Sequence, residues 1–371
     1  MESGARVTPP DVAGPLRLAP FRAWGFSPAR VGDAASARAF AKPYRGVVDR
    51  LERWERQGHA WHDPEPALYV HEYSSGGLTV RGLVGALDVS RRGAGPAERV
   101  VLPHEGVHPE QVSDLADRMA AMAVNPAPIL MVHRGPASVR EVIHEVVADE
   151  PLRAFTDRIG QGHRVWAVRD GDRLDRVAAA LAPARAVIAD GHHRYAAYLQ
   201  MQHASPGSPA DRGLAMLVDQ DDTPLFLGAI HRFLAGVDLD AILAAAAGCA
   251  TVTELPQENA LAALAPGAPV LTDGRRWALL SFGQADRTAV ELLHEVVLPA
   301  LPEPPVLAYH HVAEEALDHV AQAPGTAVLM PAPEFDAVRR VVATDAVLPE
   351  KATSFQPKPS LGVLMRSLRD E

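Results

Sequence analysis

The residues best suited to chemistry in this sequence lie together at 184–198, which contains ARAVIADGHHRYAAY. An apolar run over 186–189 predicts a short buried strand, Asp190-Gly191 predicts a turn, and a helical pattern begins at His192. The first turn of a helix offers unpaired backbone N–H groups and the positive end of the helix dipole, and both favour an anion. The spacing therefore predicts an anion-binding junction between a strand and a helix.

The side chains of this junction could add to the binding of an anion. Gly191 lets the backbone approach a ligand closely, and Arg194 could hold a phosphate or carboxylate through two N–H groups. His192 and His193 could donate hydrogen bonds or transfer protons near neutral pH. The alternative is a structural junction, in which Asp190 caps the helix and Arg194 pairs with an acid. We favour the ligand site and expect it to line the principal pocket of the protein.

A second candidate segment, His104–His108, matches the letters of the HExxH zinc motif. That motif requires a helix, on which both histidines face the metal from one side. Pro103, Gly106 and Pro109 oppose a helix at this place. We therefore predict that these two histidines hold no zinc.

Two polar segments nearer the C-terminus are further candidates. The residues of 310–315 include two histidines and two glutamates at helical spacing, which could bind a metal, although surface side chains explain such a group more often. Lys351, Thr353 and Lys358 lie in a basic segment between two prolines. These lysines could complement Arg194 around a phosphate, or the segment could be a solvated tail.

Composition restricts the classes of protein to which the chain can belong. With 371 residues it can bury a large core, and its net charge of −10 gives no reason to expect nucleic-acid binding. Cys249 is the only cysteine, so no intrachain disulfide can form. No run reaches about 18 consecutive apolar residues, so no membrane span is predicted. Residues 1–15 have no apolar signal sequence and are expected to form a disordered leader, which places the protein in the cytoplasm by default.

Strand and helix patterns follow each other without strict alternation, which predicts an α+β fold of mixed sheets with packed helices. Strands are predicted at 68–73, 80–89, 127–132, 164–169, 186–189, 214–219, 225–230 and 327–330, with a strand or turn at 360–366 and two weak strands within 250–290. Helices are predicted at 47–57, 109–124, 136–148, 174–181, 239–247, 289–297, 312–320 and 334–342, besides the one that begins at His192. Residues 16–371 are expected to form one unit, and two lobes of about 16–182 and 183–371 are the alternative.

DGHHRY after an apolar strand resembles the signature of a bacterial and archaeal family called domain of unknown function 1015. Other segments resemble the landmarks of that family in the same order, over nearly the whole chain. They are Ala19–Arg22 (PFR), Pro66–Glu72 (PSLYVYE), Leu102–Glu105 (PHE), Asn125–Ile129 (NxxPI), His231-Arg232 (HR), His310–Ala316 (HxAEEA) and Pro349–Lys358 (MPxKSTYFYPK). By this resemblance the chain is identified as a member of the family.

The DGHHR letters also resemble the phosphate-gripping loop of the ParB, sulfiredoxin and free-serine-kinase superfamily. The resemblance implies a ParB/sulfiredoxin-like strand–loop–helix unit and phosphoryl transfer to a small molecule, most specifically a serine-kinase-like reaction. Glu105 would then be the general base that takes the proton of the attacking hydroxyl, and a surface acid is the alternative. The implied catalytic residues are Glu105, His104, Asp190 and His193. The implied phosphate- and substrate-binding residues are Gly191, His192, Arg194, His231, Arg232, Lys351, Thr353 and Lys358.

The same resemblance implies Mg²⁺ with a nucleotide or pyrophosphate, and no zinc. The expected partners are a small-molecule phosphate donor and acceptor, and neither a nucleic acid nor a membrane. No GxxxxGK[ST] motif or protein-kinase signature occurs in the sequence, so a conventional nucleotide-binding fold is not expected.

Three departures from the family pattern favour a different function. Lys42-Pro43-Tyr44-Arg45 stands where the family has PYDV, Gly106-Val107 stands where it has the last two residues of HERT, and Ala352 replaces the serine of KST. A member that lacks these groups could bind a phosphate or a nucleotide without turning it over. A phosphatase, with water as the acceptor, would use the same pocket. The sequence leaves the substrate, the donor and the oligomeric state open.

Overall fold

The computed structural model describes residues 6–283, 286–344 and 346–370. The strands are β1 Val12–Ala13, β2 Leu18–Ala19, β3 Ala23–Phe26, β4 Ala60–His62, β5 Leu68–Ser75, β6 Leu78–Asp88, β7 Arg99–Leu102, β8 Val124–Asn125, β9 Ile129–His133, β10 Arg153–Thr156, β11 Gly162–Val168, β12 Ala186–Asp190, β13 Arg212–Asp219, β14 Phe226–Gly228, β15 His231–Ala235, β16 Ala250–Leu255, β17 Val270–Thr272, β18 Trp277–Phe282, β19 Val306–His310, β20 Gly325–Leu329, β21 Ser354–Gln356 and β22 Met365–Ser367. The helices are α1 Val47–Arg56, α2 Pro109–Met122, α3 Ala137–Val147, α4 Gly171–Leu181, α5 His192–Ala204, α6 Leu239–Ala246, α7 Gln257–Ala260, α8 Ala289–Leu292, α9 Ala313–Gln322 and α10 Phe335–Ala343. This composition confirms the predicted α+β fold of mixed sheets and packed helices.

Two compact units divide the chain, and the boundary differs from the one predicted near 182. The first unit comprises the residues up to Leu225 and from Pro357 onward, and the second comprises Phe226–Gln356. Residues 183–225 lie with the first unit because β13, which follows the junction helix, pairs with β6 and with β9. The two strands within this range, β12 and β13, are part of the large sheet of the first unit.

The first unit is built on a large sheet that carries the predicted junction at the end of an interior strand. The strand order is β1-β7-β12-β9-β13-β6-β5-β11-β10, and β2 pairs with β6. β12 runs parallel to β7 and antiparallel to β9, and its residues from Ala186 to Ala189 are buried. A short apolar run without polar alternation is typical of such an interior strand. The register of β12 on β9 becomes irregular between Ile188 and Asp190, where the strand ends.

Helix α5 starts directly after this strand and packs against α2. Its buried residues surround the helix rather than forming a single stripe, as expected for a helix enclosed on several sides. Helix α2 buries Val112, Ala116 and Met119 and begins at Pro109, where a proline fits the first helical position. The segment before α2, which contains Glu105, is therefore brought beside the start of α5.

The second unit has its own sheet and core. Its strand order is β16-β18-β17-β20-β15-β19, and β14 and β21 form a separate pair. Val270, Trp277, Ala327 and Leu329 of the sheet pack with Ala316 of α9. β15 and β19 of this sheet were not predicted from the sequence. β15 contains Arg232, which interrupts its apolar pattern, and the strand forms because β19 and β20 pair with it on either side.

Two other sequence expectations need correction. Residues 6–15 are not a disordered leader, because Val12–Ala13 pairs with β7, Val7 bridges to Val107, and the Val12 side chain is buried. The expectation for residues 1–5 lies outside the described residues. The helix predicted at 289–297 is α-helical only to Leu292 and continues as a π-helical turn to Val297. Among the described residues, no helix has the length and apolar character needed to cross a bilayer.

Candidate functional site

The predicted strand–turn–helix junction is present in the first unit. β12 ends at Asp190, Gly191 adopts a left-handed conformation with φ of 96°, and His192 is the first residue of α5. Gly191 is the N-cap residue, and among the described residues no side chain caps the helix there. Asp190 is therefore not the N-cap that the structural alternative required, and the backbone N–H groups of the first turn of α5 remain suited to an anion.

Asp190 lies between two cationic side chains. Arg194 donates from Nη2 to Asp190 Oδ2 at 2.7 Å, and the Lys358 ammonium donates to Asp190 Oδ1. Arg194 also donates from Nη1 to the Pro128 carbonyl at 2.7 Å, which fixes its guanidinium plane. Burial alone would raise the pKa of Asp190, but Arg194 and Lys358 outweigh burial and hold the pKa below its usual value. The junction therefore gathers two cations around one ionised carboxylate.

Two histidines of the junction receive hydrogen bonds from the segment His104–His108. The backbone N–H of His104 donates to His192 Nε2 at 3.3 Å, and the backbone N–H of His108 donates to His193 Nε2 at 3.1 Å. Burial lowers the pKa of His192 well below its ordinary value, so its imidazole is neutral at pH 7. Since Nε2 accepts a hydrogen bond, the single proton of His192 is on Nδ1.

Glu105 faces that proton. Its Oε2 lies 3.8 Å from His192 Nδ1, and its side chain is 23% exposed. The carboxylate thus has a buried imidazole on one side and access to solvent on the other. A partly exposed carboxylate in this place could take a proton from a small acceptor.

The segment His104–His108, which matches the HExxH motif, does not form a helix. Glu105 and Val107 take part in isolated β-bridges, and α2 begins only at Pro109. His104 is buried, which lowers its pKa to about 4, while His108 Nε2 accepts from Arg6 Nε at 3.2 Å. In the described ranges, no three His, Cys, Asp or Glu side chains form a group suited to a metal ion. The absence of zinc in the functional protein stays a prediction.

Four predicted binding residues belong to the second unit, where their observed contacts are internal. Arg232 is buried and donates to the carbonyls of Ile230 and Lys351, and His231 Nδ1 accepts from the Met330 N–H at 3.0 Å. Such contacts hold β15 to its neighbours. The binding roles of His231, Arg232, Lys351 and Thr353 stay predictions.

That the junction lines the principal pocket stays a prediction. Cavities of about 300, 860 and 760 Å³ lie around Met330, around Trp277 and around Arg92, and none of these three is lined by residues 190–194. The side chains of Asp190 and Arg194 are each about a quarter exposed, so the junction is polar and partly accessible to solvent.

The sequence did not point to the residues that hold Lys358 near the junction. The Tyr73 hydroxyl donates to the Pro357 carbonyl, and Gln161 contacts the backbone on both sides of Pro359. Burial raises the pKa of Tyr73, and the charge of Asp190 raises it further. One signal was available for part of this group: the period of two in β5 places His71 and Tyr73 on one face.

Comparison with known protein families matches residues 27–301 to the family described as "Protein of unknown function (DUF1015)". The match covers more than half of the chain, and the chain therefore belongs to this family. The predicted membership is confirmed.

Comparison with solved structures finds several similar chains. A variant of free serine kinase in complex with ADP is 15% identical, with a TM-score of 0.40 over 71% of this chain and 89% of that chain. Free serine kinase in complex with AMP is 16% identical, with a TM-score of 0.39 over 71% of this chain and 88% of that chain. SbnI with a C-terminal truncation, from Staphylococcus aureus, is 14% identical, with a TM-score of 0.42 over 72% of this chain and 83% of that chain. Comparison with curated proteins found no match.

Proposed function

We propose that this protein is a small-molecule phosphotransferase of the free-serine-kinase kind. The observation that carries the proposal is the meeting of two groups at the start of α5. One is the cation pair Arg194 and Lys358 around Asp190, and the other is Glu105 beside the neutral His192. A phosphate-binding group and a base at one place are the two parts that phosphoryl transfer to a hydroxyl needs.

The donor phosphate would bind at the first turn of α5. Its oxygens would accept from the backbone N–H groups there, and from Arg194 and Lys358, which Asp190 holds in place when no anion is bound. Asp190 would hold Mg²⁺ once Arg194 and Lys358 turn from its two oxygens to the phosphate, since this ion usually takes only one or two protein carboxylates. Mg²⁺ would neutralise phosphate charge when bound.

Glu105 would take the proton of the acceptor. As the acceptor oxygen forms its bond to the phosphorus, the bond from phosphorus to the leaving phosphate oxygen breaks, and the hydroxyl proton passes to the Glu105 carboxylate. The neutral His192 would lie beside that carboxylate, with Nδ1 3.8 Å from Oε2. The leaving nucleotide or phosphate carries away the electron pair of the broken bond.

A non-catalytic binding protein is the second candidate, and one observation favours it. Val107 occupies a position where the family has threonine, and its side chain is buried while its backbone bridges to Val7. The segment next to Glu105 is therefore tied into the core without a hydroxyl. Such a protein would keep the anion site and lose turnover.

The first experiment separates these candidates. Binding of ATP, ADP, AMP and pyrophosphate would be titrated by calorimetry, and turnover of each bound donor with free serine, other amino acids or water would be followed by ³¹P NMR. Phosphorylated acceptor supports the kinase proposal, and inorganic phosphate alone indicates a phosphatase. Binding without turnover would establish the binding protein.

The second experiment tests the base. We predict that Glu105→Gln lowers kcat roughly 100-fold or more while the donor affinity changes little, because the base acts only in the transition state. Glu110→Gln, on the exposed first turn of α2, is the matched control and should behave like the parent. An active Glu105→Gln variant with parental kcat would remove Glu105 from the mechanism.

A further inference from the structure

The segment that carries Lys358 is held by a buried hydrogen-bond network. We call Pro357–Ser360 the lysine segment; it has no regular secondary structure. Gln161 Nε2 donates to the Lys358 carbonyl at 3.1 Å, and the Ser360 N–H donates to Gln161 Oε1 at 2.9 Å. One side chain thus pairs with the backbone before and after Pro359, as a neighbouring strand would. The Tyr73 hydroxyl adds a third contact, to the Pro357 carbonyl at 2.8 Å.

The backbone of Gln161 is in turn held by Asp157. Asp157 Oδ1 accepts from the Gln161 N–H at 2.8 Å, and Asp157 Oδ2 accepts from the Ser360 hydroxyl at 2.5 Å. His163 Nε2 lies 3.2 Å from Asp157 Oδ2, and His71 Nε2 lies 3.1 Å from His163 Nδ1. The residues Gln161, Asp157, His163 and His71 are each at most 6% exposed. Buried polar groups persist when they satisfy one another, so this network is rigid.

The side chain of Lys358 is exposed, unlike the buried residues that hold its backbone. Its side chain is 49% exposed, and it spans from the lysine segment to the Asp190 carboxylate. A lysine side chain has four rotatable bonds, and ordering it at a ligand has an entropic cost. Fixing the backbone of Lys358 in advance restricts the region that its ammonium can visit. The geometry therefore reduces the cost of placing that charge at the junction.

We propose that Gln161 is a positioning residue for Lys358, holding the lysine segment so that the ammonium meets the donor phosphate at Asp190. This inference rests on the proposed function, in which Lys358 binds phosphate. Gln161 touches neither the donor nor the reacting atoms, and it acts only through the backbone of Lys358. A purely structural role would instead affect stability and leave phosphate affinity unchanged.

The test is a double-mutant cycle read out as affinity for inorganic pyrophosphate by calorimetry. Gln161→Ala should weaken binding roughly 2- to 12-fold, the usual effect of leaving one flexible side chain to be ordered on binding. Lys358→Ala should weaken it by at least as much. In the Lys358→Ala background, Gln161→Ala should have no further effect, because the residue through which it acts is gone.

Gln202→Ala is the matched control for the loss of a buried glutamine. Gln202 is also buried in the first unit, and it donates to Asp211 and accepts from Arg92. It should lower the melting temperature and leave pyrophosphate affinity unchanged. Gln161→Met, which keeps length and volume without a hydrogen-bonding group, replaces Gln161→Ala if that variant does not fold.

Two results would overturn the proposal while leaving the proposed function intact. One is parental pyrophosphate affinity in Gln161→Ala alongside weakened binding in Lys358→Ala. The other is an equal loss from Gln161→Ala with and without Lys358. Parental affinity in Lys358→Ala would instead remove Lys358 from the proposed site, and the role of Gln161 would fall with it.

Discussion

Arg194 is already paired with an anion in this structure. Its guanidinium contacts Asp190 and the Pro128 carbonyl, so the side chain is oriented before any ligand arrives. We predict that Arg194→Ala weakens pyrophosphate or nucleotide binding by about 2 to 3 kcal/mol, roughly 30- to 150-fold, since it removes a charge-assisted contact. Calorimetric titration measures this change.

The control for that variant is Arg118→Ala. Arg118 forms the same kind of i,i+4 pair, with Asp114 on the exposed surface of α2. Its removal should leave phosphate affinity unchanged. If both variants bind like the parent, the DGHHR loop does not hold phosphate.

Glu105 and His192 show what sequence could supply at this scale. The sequence identified Glu105 and His192 as candidate functional residues. It did not predict that the two side chains lie close together. Only the fold shows that His192 Nε2 accepts from the His104 N–H, which leaves the remaining proton on Nδ1, 3.8 Å from Glu105 Oε2. Burial, which sets the charge of His192, also depends on residues far away in the chain.

At the scale of the element, the backbone conformation of Gly191 allows helix α5 to follow strand β12 directly. Its φ of 96° lies in the left-handed region, and an added Cβ would lie 2.9 Å from Arg194 Nη2 and 3.1 Å from Ile129 Cγ2. We predict that Gly191→Ala lowers the free energy of unfolding by about 1 to 2 kcal/mol through backbone strain, and also weakens phosphate binding because Arg194 must move. Urea unfolding and calorimetry measure the two effects.

Gly58→Ala is the control that separates the effect of backbone strain from the effect of contact with Arg194. Gly58 also has a positive φ, of 71°, but an added Cβ would meet nothing within 4 Å. It should lose similar stability and no phosphate affinity. An Arg194-dependent site is contradicted if Gly191→Ala binds phosphate as tightly as Gly58→Ala does.

For the whole molecule, buried histidines should make folding depend on pH. Burial lowers the pKa of six histidines of the described chain, which are His71, His104, His133, His163, His192 and His231. Below a pH of about 6.5 the unfolded chain binds protons at these residues and the folded chain does not. Their stabilising effect is therefore present above that pH and is lost as pH falls toward the folded pKa, which is about 4 for His104 and His231.

We predict that the free energy of unfolding is nearly constant from pH 7.5 to 8.5 and falls between pH 6.5 and 5. Each histidine that stays neutral contributes up to about 1.4 kcal/mol per pH unit to the decline. Urea unfolding at a series of pH values measures the slope, and His163→Gln should make the decline less steep. Constant stability from pH 7.5 to 5 would contradict the burial of these residues as neutral groups.

The sequence by itself determined the local unit of the site. The run AVIA before Asp190-Gly191, and the helical pattern after it, specify a strand, a turn and a helix through interactions among near neighbours. Family membership and the α+β class also followed from letters in order along the chain. These features depend on spacing and on residue type, which a sequence displays directly.

Only the tertiary structure decided which distant groups join that unit. Lys358 and Gln161 are nearly 200 residues apart, and the Gln161 contacts that hold the lysine segment arise from β11 and the segment before it, not from any local pattern. The unit boundary at Leu225 likewise results from the pairing of β13 with β6. Such contacts form because the whole chain buries its apolar surface at once. No local sequence pattern indicates which distant residues will contact each other.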